Sequence, residues 1–257
     1  VVVGAEHVSY SAILTLLESG VKVSALVTEL PRHQTYGPAH WWVAGRNRIP
    51  LVPNSKVERV IGNERVSGVE IRDRGKLKTV ECDTIVFTGD WIPDYEFCRT
   101  AAVPLNPHTK GPDTDQGLHT LVPGVFASGN ILRGAETADV SSLEGTHAAN
   151  SISRYLSGHT EWPSESRSVR IDVQDPIQWI CPSRISADGL PPARNRFSFR
   201  VSSVLPSGSL LVLQADRILY KKKFGPLVPN RWYTLSWGRW ASQIQAGVPL
   251  TVEYLKS

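Results

Sequence analysis

Two stretches of this chain carry residue types that can do chemistry at a binding site. One is Thr120-Leu-Val-Pro-Gly-Val-Phe-Ala-Ser-Gly-Asn130, followed by the hydroxyl-rich approach Thr137, Ser141 and Ser142 to a helix. Pro123-Gly124 signals a turn, Val125-Phe126-Ala127 is an apolar run fit for a buried strand, and Gly129-Asn130 lets backbone come close to another group. The residues alone fit either a strand ending at a binding site or an ordinary strand-turn-helix connection. The other stretch opens the chain: Val1-Val-Val-Gly4-Ala-Glu6-His-Val-Ser9, where a glycine at a strand end precedes a helix. Further on, Thr88-Gly89 ends another apolar run in the same manner.

Composition bounds what these stretches can belong to. The chain has 257 residues, 41% of them apolar, which suffices for one large domain or two smaller ones. Uninterrupted apolar runs fall well short of the roughly 20 residues that cross a bilayer, and no leader pattern opens the chain. A soluble, cytoplasmic protein acting on a small molecule, with neither nucleic acid nor membrane as partner, is the expectation. Net charge is +4, with the basic excess in residues 161–257, which hold 13 Lys/Arg against 7 Asp/Glu. Lys221-Lys222-Lys223 in a strand pattern reads as a solvated face. Cys82, Cys98 and Cys181 are too sparse for a metal site or a redox dithiol. The chain contains no Met and begins inside a strand-like run, so the expectation is a portion of a longer protein.

The elements that must hold these residues can be read from periodicity. Val1–Val3, a helix through Ile13-Leu14-x-Leu16-Leu17 stopped at Gly20, and a strand over Val21–Val27 form a βαβ unit of Rossmann type. Its phosphate-binding fingerprint, Gly-x-Gly-x-x-Gly, is broken: Gly4 stands, but Glu6 replaces the second glycine and Ser9 the third. A glutamate there adds bulk and like charge where a pyrophosphate would approach, and no acidic residue stands at Val27, Glu29 being two positions later. This argues against productive NAD binding and for a unit kept as scaffold.

The loop 30–38, with His33 and Tyr36, leads to His40-Trp41-Trp42-Val43-Ala44, a short helix or strand that either grips a planar ligand or packs on a neighbour. Ile49–Val52 reads as a parallel strand, and 57–81 as a β-meander turning at Gly62-Asn63 and Asp73-Arg-Gly75. A helix is predicted over Ser142–Leu156 with an apolar stripe through Leu143, Ala148, Ile152 and Leu156. Residues 162–167 read as a linker, and the remainder of the chain as an all-β sandwich or barrel whose core is largely aromatic.

Thr-x-x-x-Gly-Val-Phe-Ala-x-Gly-Asn over 120–130 resembles the second flavin-binding motif of the two-dinucleotide-domain FAD-dependent oxidoreductases, the pyridine nucleotide-disulfide oxidoreductase superfamily. The run Gly129-Asn-Ile-Leu-Arg-Gly-Ala-Glu-Thr-Ala-Asp139, then Leu143-Glu-Gly145, is similar to members that oxidise amines and amino acids. The resemblance covers about residues 1–157. It implies an α/β fold with an NAD-type Rossmann domain and meander over 1–97, the C-terminal part of a flavin domain over 98–160, and a β-rich module over 161–257. It implies FAD as cofactor, with Gly129, Asn130, Thr137, Ser141 and Ser142 at the flavin and Gly4, Glu6, Thr88 and Gly89 in the degenerate NAD-type site. Asn130 stands where the family has Asp, and its amide oxygen would take over the contact to the ribityl chain. The loop that holds the FAD pyrophosphate is expected upstream or on a partner subunit. No general base is assignable; Glu136, Asp139 and His147 are candidates by position only. The alternative is a non-catalytic scaffold or subunit that has lost cofactor binding.

Overall fold

The computed structural model describes residues 1–256 apart from 90, 188, 189 and 239. It divides into two compact units, Val1–Asp90 with Val228–Arg231, and Trp91–Leu227 with Trp232–Ser257. The second unit therefore runs through both the segment after residue 97 and the β-rich remainder.

In the first unit β1 (Val2–Val3), helix α1 (His7–Glu18) and β2 (Leu26–Val27) make the expected parallel crossover. With β3 (Leu51–Val52) and a strand from the end of the meander they form a parallel sheet. The meander is β4 (Ser55–Gly62), β5 (Val66–Asp73) and β6 (Lys76–Glu81), paired antiparallel in sequence order, and the chain then enters the parallel sheet as β7 (Val86–Phe87), beside β1. Strand order in that sheet is β3-β2-β1-β7. Ile13, Tyr10 and Ala5 pack with Val2 and Leu26 on one side, while Val1, Ala25 and Val27 meet Val69 and Ile71 of the meander. Sheet pairing takes in less than the apolar run predicts: of 21–27 only Leu26–Val27 pairs, although Val23 and Ala25 are buried. Burial and ladder hydrogen bonding are separate demands, and a run long enough for the first need not meet the second.

Between β2 and β3 the chain makes a short helix, α2 (Gly37–His40), continued by a π-helical turn over Trp41–Gly45. Of its aromatic pair Trp41 is 68% exposed, while Val43 and Ala44 are buried.

The second unit begins with α3 (Glu96–Thr100) and a long irregular stretch. Here the expectation of a buried strand over Val125–Ala127 is corrected. Phe126 makes a single antiparallel bridge to His119, and Val125 is exposed. Phe126 instead joins an aromatic cluster with His119, Tyr155 and Trp162 at ring separations of 4.9 to 6.2 Å. Trp162, read as linker, is part of that packing.

Helix α4 spans Ala138–Leu156, one turn longer at its start than predicted. Its buried face is also different. Val140, Glu144, Ala148 and Ser151 point inward, whereas Leu143 and Leu156 are exposed and Ile152 sits at the margin of exposure. The hydrophobic pattern misleads because a glutamate takes a core position, where an arginine neutralises it.

The remaining strands are β8 (Val169–Val173), β9 (Ile177–Cys181), β10 (Arg184–Ile185), β11 (Arg196–Val201), β12 (Gly208–Gln214), β13 (Arg217–Phe224), β14 (Tyr233–Ser236) and β15 (Leu250–Lys256). They form two sheets, β10-β8-β15-β12-β13 and β14-β11-β9, over one core that includes Phe197, Phe199, Leu210, Leu235 and Trp240. Aromatic pairs such as Phe197 with Trp240 and Phe199 with Tyr233 fill it, as the distribution of tryptophans implied. Strand β10 has no counterpart in the sequence pattern. Trp179 and Cys181 of β9 face away from this core and pack with Leu118, Leu132 and Ala148.

Phe197 is fully buried in that core. Its truncation in Phe197→Ala is expected to cost about 3–5 kcal/mol, read from the urea unfolding midpoint, whereas the exposed Lys221→Ala is expected to move stability by less than about 0.5 kcal/mol.

Candidate functional site

The residues singled out in the sequence fall into two groups, one in each unit. In the first, Gly4 has φ +121°, a conformation L side chains rarely adopt, and a Cβ there would collide with Thr88 and lie 2.8 Å from Glu6 Oε2. Glu6 is the N-cap of α1 and forms a capping box with Ser9, whose Oγ accepts the Glu6 N–H at 3.2 Å. Ser9 Oγ and Thr88 Oγ1 share a hydrogen bond of 2.7 Å, tying α1 to the end of β7. Thr88 is buried and its own N–H reaches Val3 O. Gly89 is exposed with open space around it. Glu6, Ser9 and Thr88 thus hold one another at the mouth of the βαβ turn.

Above that turn lies a cluster that sequence reasoning left undecided. Rings of His33 and His40 stack at 4.3 Å, the Tyr10 hydroxyl and His40 Nδ1 share a hydrogen bond of 2.7 Å, and His7 Nδ1 pairs with Thr35 Oγ1 at 2.9 Å. Arg231 Nε donates to Gln34 O at 2.7 Å, and its guanidinium lies over the Tyr36 ring. Burial holds all three imidazoles below their ordinary value, helped at His7 by Arg231 and at His33 by His40. Burial, and then the charge of Glu6, pushes the Tyr10 hydroxyl up. The stacked pair of histidines is therefore neutral at pH 7.

In the second unit Gly129 is buried with φ +77°, and its N–H donates to Glu144 Oε2 at 3.2 Å. Space for a Cβ is ordinary there, so backbone conformation is what requires glycine. Asn130 is exposed, and its Oδ1 accepts the Glu136 N–H at 3.0 Å and the Ser141 hydroxyl at 3.3 Å. The Asn130 oxygen is thus engaged within the chain, which leaves its NH₂ group as the donor for any further contact. Thr137 is the exposed N-cap of α4, but its side chain makes no cap bond. Ser142 is exposed in the first turn. Asp139 draws hydrogen bonds from Thr137 and from the backbone of Val140 and of its own residue, which hold its carboxyl below the ordinary carboxylate range. It lies in the first turn of α4.

The other two positional candidates for acid-base work are consumed by structure. Glu136 Oε2 receives Arg133 Nε at 3.2 Å, and His147 Nε2 bonds Gln116 O at 2.9 Å. Arg133, 2% exposed, also reaches Glu144 at 2.5 Å and Cys181 Sγ at 3.6 Å. Burial alone would pull this guanidinium down, but the carboxylates of Glu144 and Glu136 outweigh it. The Cys181 thiol is pushed up to about 11, chiefly by burial, and stays protonated at neutral pH. Arg200 completes the cluster, donating to Ala135 O at 2.6 Å over the rings of Trp91 and Trp179. Sequence reasoning missed this network. Its members lie on a loop, a helix and two strands, and no local pattern joins them.

Among the described residues no group of three or more His, Cys, Asp or Glu side chains is arranged to hold a metal, and no helix is long and apolar enough to cross a membrane.

No known protein family matches the chain, and no curated protein is similar to it in sequence. Solved structures are similar in fold. Thioredoxin reductase from T. acidophilum matches with a TM-score of 0.54 at 24% identity, over 62% of this chain and 52% of that one. Thioredoxin reductase from Lactococcus lactis matches with 0.55 at 15% identity, over 61% and 52%. Bacillithiol disulfide reductase from Staphylococcus aureus matches with 0.50 at 17% identity, over 62% and 50%. Over the 62% of the chain that T. acidophilum thioredoxin reductase matches, the fold is the Rossmann-like α/β fold of these structures, and the chain spans about half their length.

Two outcomes test the electrostatics. Glu144→Ala, which leaves Arg133 one carboxylate instead of two, is expected to cost about 3 kcal/mol in urea unfolding, and the triple change Arg133→Met with Glu136→Gln and Glu144→Leu clearly less, because none of these three charges is then left without its partner. For His7, His33 and His40 the folded value lies below the unfolded one, so the folded state binds fewer protons. Their contribution to stability is full above the ordinary imidazole value of 6.5 and is lost as pH falls from there through the folded values. Urea midpoints should therefore decline below that pH, and less steeply in His33→Gln.

Proposed function

We propose that this chain is the C-terminal portion of an FAD-dependent oxidoreductase that exchanges hydride between a small-molecule substrate and the flavin. The observation that carries the reading is the turn Gly129-Asn130, delivered onto the exposed start of the 19-residue helix α4. A helix N-terminus offers unpaired N–H groups and a positive dipole end to an electron-rich ring carbonyl. The fold likeness to enzymes named thioredoxin reductase and bacillithiol disulfide reductase supports a flavin oxidoreductase architecture. The residues fit such a group in part. Asn130 can donate through its NH₂ group to a ribityl oxygen, and Ser142 is open to solvent. When bound, FAD would supply the hydride-accepting ring; this chain would orient it through Asn130 and the first turn of α4. Asp139, exposed and on a rotatable side chain, would have to yield the amides it now holds.

In this reading the domains are an NAD-type Rossmann domain with meander over 1–97, part of a flavin domain over 98–160 and a β-rich module over 161–257. The chain shows one βαβ phosphate loop among its described residues, so the FAD pyrophosphate would need another, supplied by a further segment or a partner subunit. As to substrate class, oxidation of an amine or amino acid rests on the sequence run 129–145 alone. Cys82, Cys98 and Cys181 are single free thiols, so the described residues hold no dithiol pair for disulfide reduction.

A second reading, a scaffold that has lost its cofactor, is favoured by one observation: Asp139 occupies the start of α4 as Glu6 occupies that of α1. One experiment separates the two. The natively purified protein is expected to show the near-ultraviolet and visible bands of oxidised flavin, with intact mass revealing an additional segment or partner chain. A colourless protein that stays colourless in excess FAD with that partner present would leave the scaffold standing.

A further inference from the structure

The mouth of the βαβ turn in the first unit is occupied by the protein itself. In a Rossmann unit the pyrophosphate of a dinucleotide crosses the glycine backbone to reach the N-terminus of the first helix, which requires bare backbone at that crossing. Here the Glu6 carboxylate fills it: Glu6 is 1% exposed, its Oε2 lies against Gly4, and it closes a capping box on the first turn of α1. The Ser9 to Thr88 hydroxyl bond locks the opposite wall, and the Gln34 N–H donates to Ala5 O at 2.7 Å, laying a fully buried Thr35 beside the turn. Glu6 Oε1 has no hydrogen-bond partner and no exposed surface. A carboxylate with one oxygen unsatisfied in a buried position is costly. The acidic residue that would hold the adenosine ribose is absent too: the strand ends at buried Val27, Thr28 after it is also buried, and Glu29 is exposed.

We propose that Glu6 is a specificity-determining residue that closes this Rossmann unit to nicotinamide dinucleotides, its carboxylate standing in for the phosphate. A second anion cannot enter without displacing it, and a dinucleotide would bring two negative phosphates against a buried negative charge. Reducing equivalents therefore do not enter through this unit from NADH or NADPH. The proposal concerns the first unit only and holds whether or not the second binds flavin.

The test is isothermal titration of the full chain with NADH and with NADPH, for the natural protein, E6Q, and the double variant E6G/S9G, each checked by circular dichroism. The natural protein is expected to show no saturable binding at ligand concentrations up to about 1 mM. Relief of charge in E6Q and of both charge and bulk in E6G/S9G is expected to raise affinity, the double variant by at least about tenfold, since it restores the glycine pattern. Saturable binding of either nucleotide to the natural protein at micromolar concentration overturns the proposal, and that arm needs no variant to fold. A folded E6G/S9G protein with no gain in affinity overturns it as well. Neither result depends on flavin content, which is read separately from absorbance.

Discussion

The second unit depends on one buried ion cluster. Arg133 reaches two carboxylates from different elements, Glu136 in the loop before α4 and Glu144 inside the helix, and lies against the thiol of Cys181 on β9. Because the guanidinium is a rigid fork, each contact restricts the others. The turn Gly129-Asn130 is part of the same device, since the Gly129 N–H donates to the Glu144 oxygen that Arg133 also meets. The loop between strand-like segment and helix is thereby given one conformation. Desolvating these charges is expensive, and the cost is offset only because nearly every polar atom in the cluster finds a partner, Arg200 Nε being an exception.

That constraint explains why the β-rich segment is not an independent appendage. Its outer sheet face presents Trp179 and Cys181 to Leu132 and Ala148, so strand β9 serves two cores at once, aromatic on one side and mixed apolar and ionic on the other. Arg200 from β11, stacked on Trp91 and Trp179 and bonded to Ala135 O, extends the same junction. A loop that carries a binding site gains precision when rigid strands support it from behind.

The two helix starts that matter for nucleotide chemistry share a feature. Each receives a carboxylate from its own chain, Glu6 at α1 and Asp139 at α4, but their environments differ. Glu6 is sealed by neighbouring hydroxyls and backbone, so its displacement would break the capping box of α1. Asp139 stands in solvent, where rotation of its side chain exposes the amides at little cost. The same chemical group closes one helix start and merely caps the other, and burial makes the difference.

By itself the sequence determined the order and kind of most elements. The parallel βαβ opening, the meander and nearly every strand after residue 168 are legible because period-two alternation and Gly/Pro turns are local signals. The conflict at Glu6 was equally legible, since a broken glycine pattern can be read without coordinates. Tertiary structure alone decided which face of α4 is buried, because a glutamate at a core position is readable only once Arg133 is known to meet it. It also decided that Val125–Ala127 is no strand, that Trp162 belongs to an aromatic cluster, and that the Asn130 oxygen accepts from Glu136 N–H and the Ser141 hydroxyl. Each of these depends on partners far along the chain, and hydrogen bonding and ion pairing between such partners leave no periodic trace in sequence.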